Sequence, residues 1–364
     1  MMRTPNSFYS LTVEDVRTET ADCKSVQFSV PETYRDLFRA LPGQYITLSI
    51  VIDGVPARRC YSICEQNDET AFRIAVKKVP SGVCSTFIVD NLNAGDVVDV
   101  MPPMGTFTLN SVPDIEKKTP FYVAIAAGSG VTPIMAIIRH LLQSTETARF
   151  TLLYQNGDRS GTIFREDLLD LKNRFMERFN LLFVFSREQS ESAVTSGRLD
   201  NEKLALIYDR FPDFQMALSY FLCGPEGLID TATTFLKGHG VPENRIINEH
   251  FVNQGQHVAQ LSSMREENSL RDGECKAEIQ LNGTTQTLNL PYGETILNSL
   301  LKKGLNAPFA CQGGVCSTCK IKVSEGEVSM PVNYSLEKEQ LENKIYLSCS
   351  SFPVSEFIRI TYDI

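Results

Sequence analysis

Cys311, Cys316 and Cys319 follow the spacing C-x4-C-x2-C, and 29 residues separate Cys319 from Cys349. This is the spacing of a [2Fe-2S] cluster of the plant type, in which four thiolates close on two irons. Three ligands can come from one tight loop only if the backbone curls round the cluster. Gly313 and Gly314 are expected to allow that curl by taking positive φ and bringing amide N–H groups near the sulfurs. Zinc is the competing reading, but a zinc ribbon offers a second C-x2-C, which this loop lacks. The four histidines, His140, His239, His250 and His257, all lie outside the loop, which excludes a two-histidine Rieske centre.

Two other groups of residues are suited to phosphates and redox rings. Arg59-Cys60-Tyr61-Ser62 lies on a strand-like segment, and Gly82-Val83-Cys84-Ser85 follows about twenty residues later at the start of the helix-like STFIVDNL. Backbone amides at such a helix start are unpaired and attract anions. Gly128-Ser129-Gly130-Val131-Thr132-Pro133 sits between the apolar strand FYVAIAA and the helix-like IMAIIRHLL. Pro133 stands where G-x-G-x-x-G would have its third glycine, a substitution the first helical turn tolerates. The strand-turn-helix context supports reading the segment as a phosphate cradle. Cys223-Gly224-Pro225 ends a second apolar strand, SYFLCG, and Asn248-Glu249-His250-Phe251 ends the region.

These residues need elements to hold them. Residues 8 to 110 alternate short β-rich runs (SVQFSV, QYITLSIVI) with Gly, Pro, Asn and Asp breaks, which predicts an antiparallel barrel or sandwich. From about 121, apolar strands alternate with helical stretches such as FREDLLDLKNRF, the pattern of a parallel α/β sheet. Residues 252–272 are polar and without sustained period, and read as a linker. Two short strands meeting at Asn282-Gly283, a helix ending near Gly304 and the cysteine loop then predict a small α+β unit. The expected domains are 1–112, 113–251 and 273–364.

Length and composition point to two or three globular domains. Of 364 residues, 42% are hydrophobic and 22% charged, and the net charge of −9 (35 Lys and Arg against 44 Asp and Glu) disfavours a nucleic-acid binder. No apolar run reaches membrane-spanning length, and the N-terminus lacks signal-peptide character, so a cytoplasmic protein is expected. In a reducing compartment ten cysteines read as ligands, reactive thiols or core residues rather than disulfides.

In this order the motifs resemble the ferredoxin-NADP reductase family: a flavin barrel, a nicotinamide domain and a C-terminal β-grasp ferredoxin. With Arg58 to Cys64, Cys311 to Cys319 and Asn333-Tyr334-Ser335-Leu336, the whole chain is similar to reductase components of phenylacetyl-CoA epoxidase-like oxygenases. The ketosteroid hydroxylase reductases share the order. The resemblance implies that Arg59 pairs with the FAD pyrophosphate, Tyr61 packs on the flavin ring, Ser62 lies near its N5, and Gly82, Val83, Cys84 and Ser85 offer amides to the phosphates. It places Gly128, Gly130, Thr132 and Pro133 on the nicotinamide nucleotide, with Cys223, Gly224 and Pro225. Cys223 and Glu249, with Ser62, would shape the hydride pocket, and Phe251 would cover the flavin.

Ser186-Arg187-Glu188-Gln189 and Arg198 resemble a 2′-phosphate pocket, so NADPH is expected over NADH. Asn156, Arg159 and Ser160 offer a competing basic site, and Asp200 falls where some family members have tyrosine. The implied function is electron transfer from NADPH through FAD and the [2Fe-2S] cluster to a separate oxygenase, with a diiron phenylacetyl-CoA epoxidase as the first expectation. Another oxygenase, or a redox sensor or electron-carrier role, is the alternative.

Overall fold

The computed structural model describes residues 7–66, 68–112, 120–188, 192, 194–251 and 273–364. They divide into two compact units, Met1–Phe251 and Val252–Ile364. The expected linker, 252–272, lies outside the described residues, as does Gln189.

The first unit begins with β1 (Tyr9–Thr20), β2 (Cys23–Ser29), α1 (Arg35–Phe38), β3 (Tyr45–Ile52), β4 (Val55–Glu65), β5 (Ala71–Lys77), α2 (Val83–Asn91) and β6 (Val97–Met104). The strands close into a barrel in the order β1-β2-β5-β4-β3-β6, which decides between the barrel and the sandwich. Closure leaves no unpaired edge. Alternate residues point inward, and Leu11, Phe28, Ile46, Leu48, Phe72 and Ile74 form its core. Phe72 stacks on Phe28 at 5.5 Å and on Phe38 at 5.9 Å.

The second half of this unit carries β7 (Phe121–Ala127), α3 (Val131–Ser144), β8 (Arg149–Asn156), α4 (Arg165–Arg174), β9 (Phe179–Phe185), α5 (Asn201–Arg210), α6 (Pro212–Gln215), β10 (Ser219–Gly224), α7 (Glu226–Gly238) and β11 (Ile246–His250). All pairings in its sheet are parallel, and the strand order is β11-β10-β7-β8-β9. The chain therefore reverses direction across the sheet between β7 and β10, the kind of point at which α/β sheets hold ligands at their carboxyl ends. Every residue of α3 from Val131 to Ile138 is buried. A helix buried nearly all round must have partners on both sides, and here one apolar cluster joins Ile134, Ile137 and Ile138 to Cys64, Ala75 and Phe107 of the barrel and Tyr122 and Phe221 of the sheet.

The second unit contains β12 (Glu274–Leu281), β13 (Thr284–Pro291), α8 (Ile296–Lys302), β14 (Lys320–Glu325), β15 (Val328–Ser329), α9 (Lys338–Glu342), β16 (Ile345–Leu347), β17 (Phe352–Pro353) and β18 (Phe357–Thr361). Its main sheet runs β13-β12-β18-β14-β16, and β15 pairs with β17 separately. The β12-β13 hairpin turns at Asn282 and Gly283, both at positive φ (53° and 73°). Their two N–H groups donate to the Asp363 carboxylate at 2.8 Å each. Gly304, at φ 78°, follows α8 as expected of a helix-ending glycine. Among the described residues no helix is long and apolar enough to cross a membrane.

Candidate functional site

All four loop cysteines are buried, and they stand as two pairs. Cys311 lies within hydrogen-bonding reach of Cys316, and Cys319 of Cys349. Two thiols per pair suit two irons, whereas one zinc ion would need all four on a single centre. Backbone donors already face the sulfurs: Gly313 N–H donates to Cys311 Sγ at 3.3 Å and Cys311 N–H to Cys316 Sγ at 3.4 Å. Pairing with Cys316, then burial, pushes the Cys311 thiol well up, a cost that metal binding removes by displacing the proton.

The curl of the loop differs in detail from expectation. Gly314 takes positive φ (77°), but Gly313 does not; Gln312 (53°) and Ser317 (55°) do instead. A side chain in that region costs roughly 1 kcal/mol, so surrounding bonds must hold it. Ser317 Oγ donates to Ser335 Oγ at 2.7 Å, and Tyr334 N–H to Gly314 O at 3.1 Å. A Cβ at Gly314 would lie 3.2 Å from both Ser350 Oγ and Val332 Cγ1.

In the first unit, the pieces ending β7 and β10 meet at the reversal point. Gly128 to Gly130 form a 3-10 turn that opens α3. A Cβ at Gly130 would overlap the Cys223 carbonyl and lie 2.8 Å from Gly224 N. Tyr154 OH donates to Gly128 O at 2.9 Å, and Thr132 Oγ1 to Ser129 O at 2.9 Å, so the turn is braced from both sides. Pro133 is the third residue of α3, and Pro225 is the N-cap of α7. The amino ends of α3 and α7 thus follow directly from these two strand ends, an arrangement suited to anions.

Cys223 and Glu249 are register partners across β10 and β11. Glu249 Oε2 is sealed from solvent with no hydrogen-bond partner among the described residues, and burial pushes the carboxyl up to about 8. Burial, then the neighbouring Glu249, holds the Cys223 thiol well above its ordinary value. His250 is half-buried, and burial lowers its imidazole. Phe251 follows the strand and is 39% exposed.

The two basic sites that compete in the sequence are one site in the structure, because β8 and β9 are adjacent. Ser186 N–H donates to Asn156 O at 2.9 Å, and Arg187 N–H to Gly157 O at 2.8 Å. Each arginine is matched by an acid from the opposite loop: Arg187 with Asp158 at 3.4 Å, and Arg159 with Glu188 at 3.2 Å. Arg198 is exposed. Asp200 caps α5, accepting from Lys203 N–H at 2.9 Å.

On the barrel, Arg59 and Tyr61 are two residues apart on β4 and share a face, while Ser62 is buried opposite Tyr45. Arg59 Nη1 donates to Arg58 O at 2.6 Å. Burial raises the Tyr61 hydroxyl, and Cys84 also acts on it electrostatically, so the start of α2 adjoins this face. Gly82 is the N-cap of α2, Val83 is exposed, and Ser85 Oγ accepts from Val79 N–H at 3.2 Å. The turns at Pro42–Tyr45 and Gly105–Phe107 meet, since a Cβ at Gly43 would overlap the Phe107 carbonyl.

Sequence reasoning missed a charged chain linking barrel and sheet. Arg73, almost fully buried, donates to Asp15 at 2.8 Å, Ser25 at 3.2 Å and Gln27 at 2.5 Å, and lies 3.7 Å from Glu65. Glu65 also pairs with Arg139 of α3, which reaches Asp167 at 2.7 Å. A single arginine in the apolar run IMAIIRHLL was the available signal.

Three domain families match the chain: an oxidoreductase FAD-binding domain over residues 10–109, an oxidoreductase NAD-binding domain over 124–234, and a 2Fe-2S iron-sulfur cluster binding domain over 279–354. Over 358 residues the chain is 37% identical to a subunit of the 1,2-phenylacetyl-CoA epoxidase of Escherichia coli (strain K12), covering 98% of each chain. It is 30% identical over 355 residues to the ferredoxin reductase component of 3-ketosteroid-9-alpha-monooxygenase of Rhodococcus rhodochrous, covering 97% and 96%. The solved structure of phthalate dioxygenase reductase matches with a TM-score of 0.60 at 22% identity, covering 99% of this chain and 100% of that one, a likeness of fold.

Proposed function

Because the chain belongs to the family of oxygenase reductase components that combine FAD-binding, NAD-binding and 2Fe-2S domains, we propose that it takes electrons from NADPH and delivers them to a separate, phenylacetyl-CoA epoxidase-type oxygenase in the cytoplasm. The domains are then 1–112 for FAD, 113–251 for the nicotinamide nucleotide and 273–364 for the cluster. Bound together, these groups convert a two-electron donor into single electrons.

The chain's own residues bind and orient. Arg59 and the amides of Gly82 to Ser85 would hold the FAD pyrophosphate, with Tyr61 against the ring and Ser62 near its reactive edge. Gly128 to Pro133 and Cys223 to Pro225 would hold the nicotinamide nucleotide where α3 and α7 begin. Below pH about 8 Glu249 keeps its proton, so it can sit beside the ring without adding charge. Cys311, Cys316, Cys319 and Cys349 would ligate the cluster. Ser186, Arg187 and Arg198 support NADPH, while Asp200 serves as a helix cap through one of its two carboxylate oxygens.

The observation that carries this reading is the contact of Gly130 with Cys223 and Gly224, which unites two distant motifs at the sheet's reversal point. Cys316→Ser tests the division of labour. Dye reduction by NADPH should stay near wild type while cytochrome c reduction through the cluster is lost. Equal loss of both in a folded, FAD-replete variant would overturn it.

A further inference from the structure

Three serines around the fourth cluster cysteine, Ser348, Ser350 and Ser351, are completely buried. A buried hydroxyl needs a partner, and two of them have backbone acceptors. Ser348 Oγ donates to Cys319 O at 3.0 Å, and Ser351 Oγ to Leu347 O at 2.8 Å. Ser350 differs, since the contact its hydroxyl makes is with Cys349 Sγ, at 3.5 Å. The hydroxyl also lies over Gly314 of the cluster loop, the residue that has no Cβ to displace it.

With a free thiol either atom could donate. A thiolate bound to iron has no proton, so the hydroxyl must be the donor. Adding one electron to a cluster makes its sulfurs more negative, and a donor aimed at a ligand sulfur stabilises that state more than the oxidised one. We infer that Ser350 is a tuning residue of the cluster, whose hydroxyl donates to Cys349 Sγ and raises the reduction potential toward the electron donor. No proton is transferred. This rests on the reading of the four cysteines as [2Fe-2S] ligands.

The test is a redox titration of the full-length protein, following the cluster by electron paramagnetic resonance, with iron and sulfide content measured alongside. Ser350→Ala and Ser350→Val should shift the midpoint to more negative potential at unchanged iron and sulfide, and Ser350→Thr, which keeps the hydroxyl, should remain near wild type. An unchanged or more positive midpoint in the alanine and valine variants, with the cluster intact, overturns the inference. If those variants do not load iron, the wild type decides: when the apoprotein is equilibrated in D2O before the cluster is built in, the reduced cluster must lose a proton coupling at hydroxyl distance, and retention of every coupling overturns the inference. A wild-type protein lacking iron and sulfide would instead overturn the cluster assignment itself.

Discussion

Gly130 rests directly on the Cys223 carbonyl, so the turn that opens α3 and the end of β10 are in backbone contact. The obstructing atoms are backbone, which cannot rotate out of the way. Gly130→Ala is therefore expected to force α3 and β10 apart at a cost on the order of 2 kcal/mol. It should raise KM for the nicotinamide nucleotide at least roughly tenfold, a loss of about 1.4 kcal/mol of binding, with FAD and iron content unchanged. Steady-state kinetics with cofactor analysis checks this, and an unchanged KM would sink it.

Glu249 gives a pH prediction with a definite sign. Its carboxyl is raised from 4.5 to about 8 by burial, so between those values the folded protein keeps a proton that the unfolded chain has lost. Stability then falls as pH rises through that window and levels off above it. Glu249→Gln removes the slope, so the melting temperature of the variant relative to wild type should climb from pH 5 to pH 8.5. Turnover of the wild type should decline with an apparent pKa near 8, and the variant should lack that limb. Parallel melting curves for both proteins across the range would contradict the assignment.

The crossed pairs Arg187 with Asp158 and Arg159 with Glu188 set up a test of coenzyme choice. Both arginines are largely exposed, and such pairs are worth about 1 kcal/mol or less. A 2′-phosphate can displace them, but it must compete with the acids. Glu188→Gln frees Arg159 and is expected to lower KM for NADPH a few-fold while leaving KM for NADH in place. A change in the NADH constant of equal size would show that Glu188 acts on the fold instead.

Arg73 is the buried centre of the link between barrel and sheet. Arg73→Met removes donors to Asp15, Ser25 and Gln27 at once. Arg73 is almost fully buried but Asp15 is 40% exposed, so a loss on the order of 2 kcal/mol, that of a charge-assisted hydrogen bond, is expected. Because the chain forms two units, the denaturation midpoint should be read from flavin fluorescence, which reports the first unit alone. A midpoint within error of wild type would mean that Asp15 and Glu65 need no arginine between them.

What the sequence revealed and what it hid follow from distance along the chain. The strand-turn-helix at Gly128 and the hairpin at Asn282-Gly283 are local patterns, and both stand where the residues put them. The meeting of Gly130 with Cys223 depends on β10 returning beside β7, a pairing of distant segments that no local period encodes. The merging of two basic loops has the same cause, since neither loop states that β8 and β9 are neighbours. Intrinsic preference points to the two glycines for the curl of the cysteine loop, yet Gln312 and Ser317 share it with Gly314, and Ser317 and Gly314 are held there by bonds to Ser335 and Tyr334.

The position of β18 in its sheet governs how the second unit is made. It is paired on one flank with β12 and on the other with β14, yet it is translated after every residue of the cysteine loop and after Cys349. During synthesis the loop therefore emerges before the strand that joins the two halves of its sheet. Removing Phe357–Thr361 would leave β12 and β14 without the strand that joins them, and it is expected to lower iron binding without touching a single ligand.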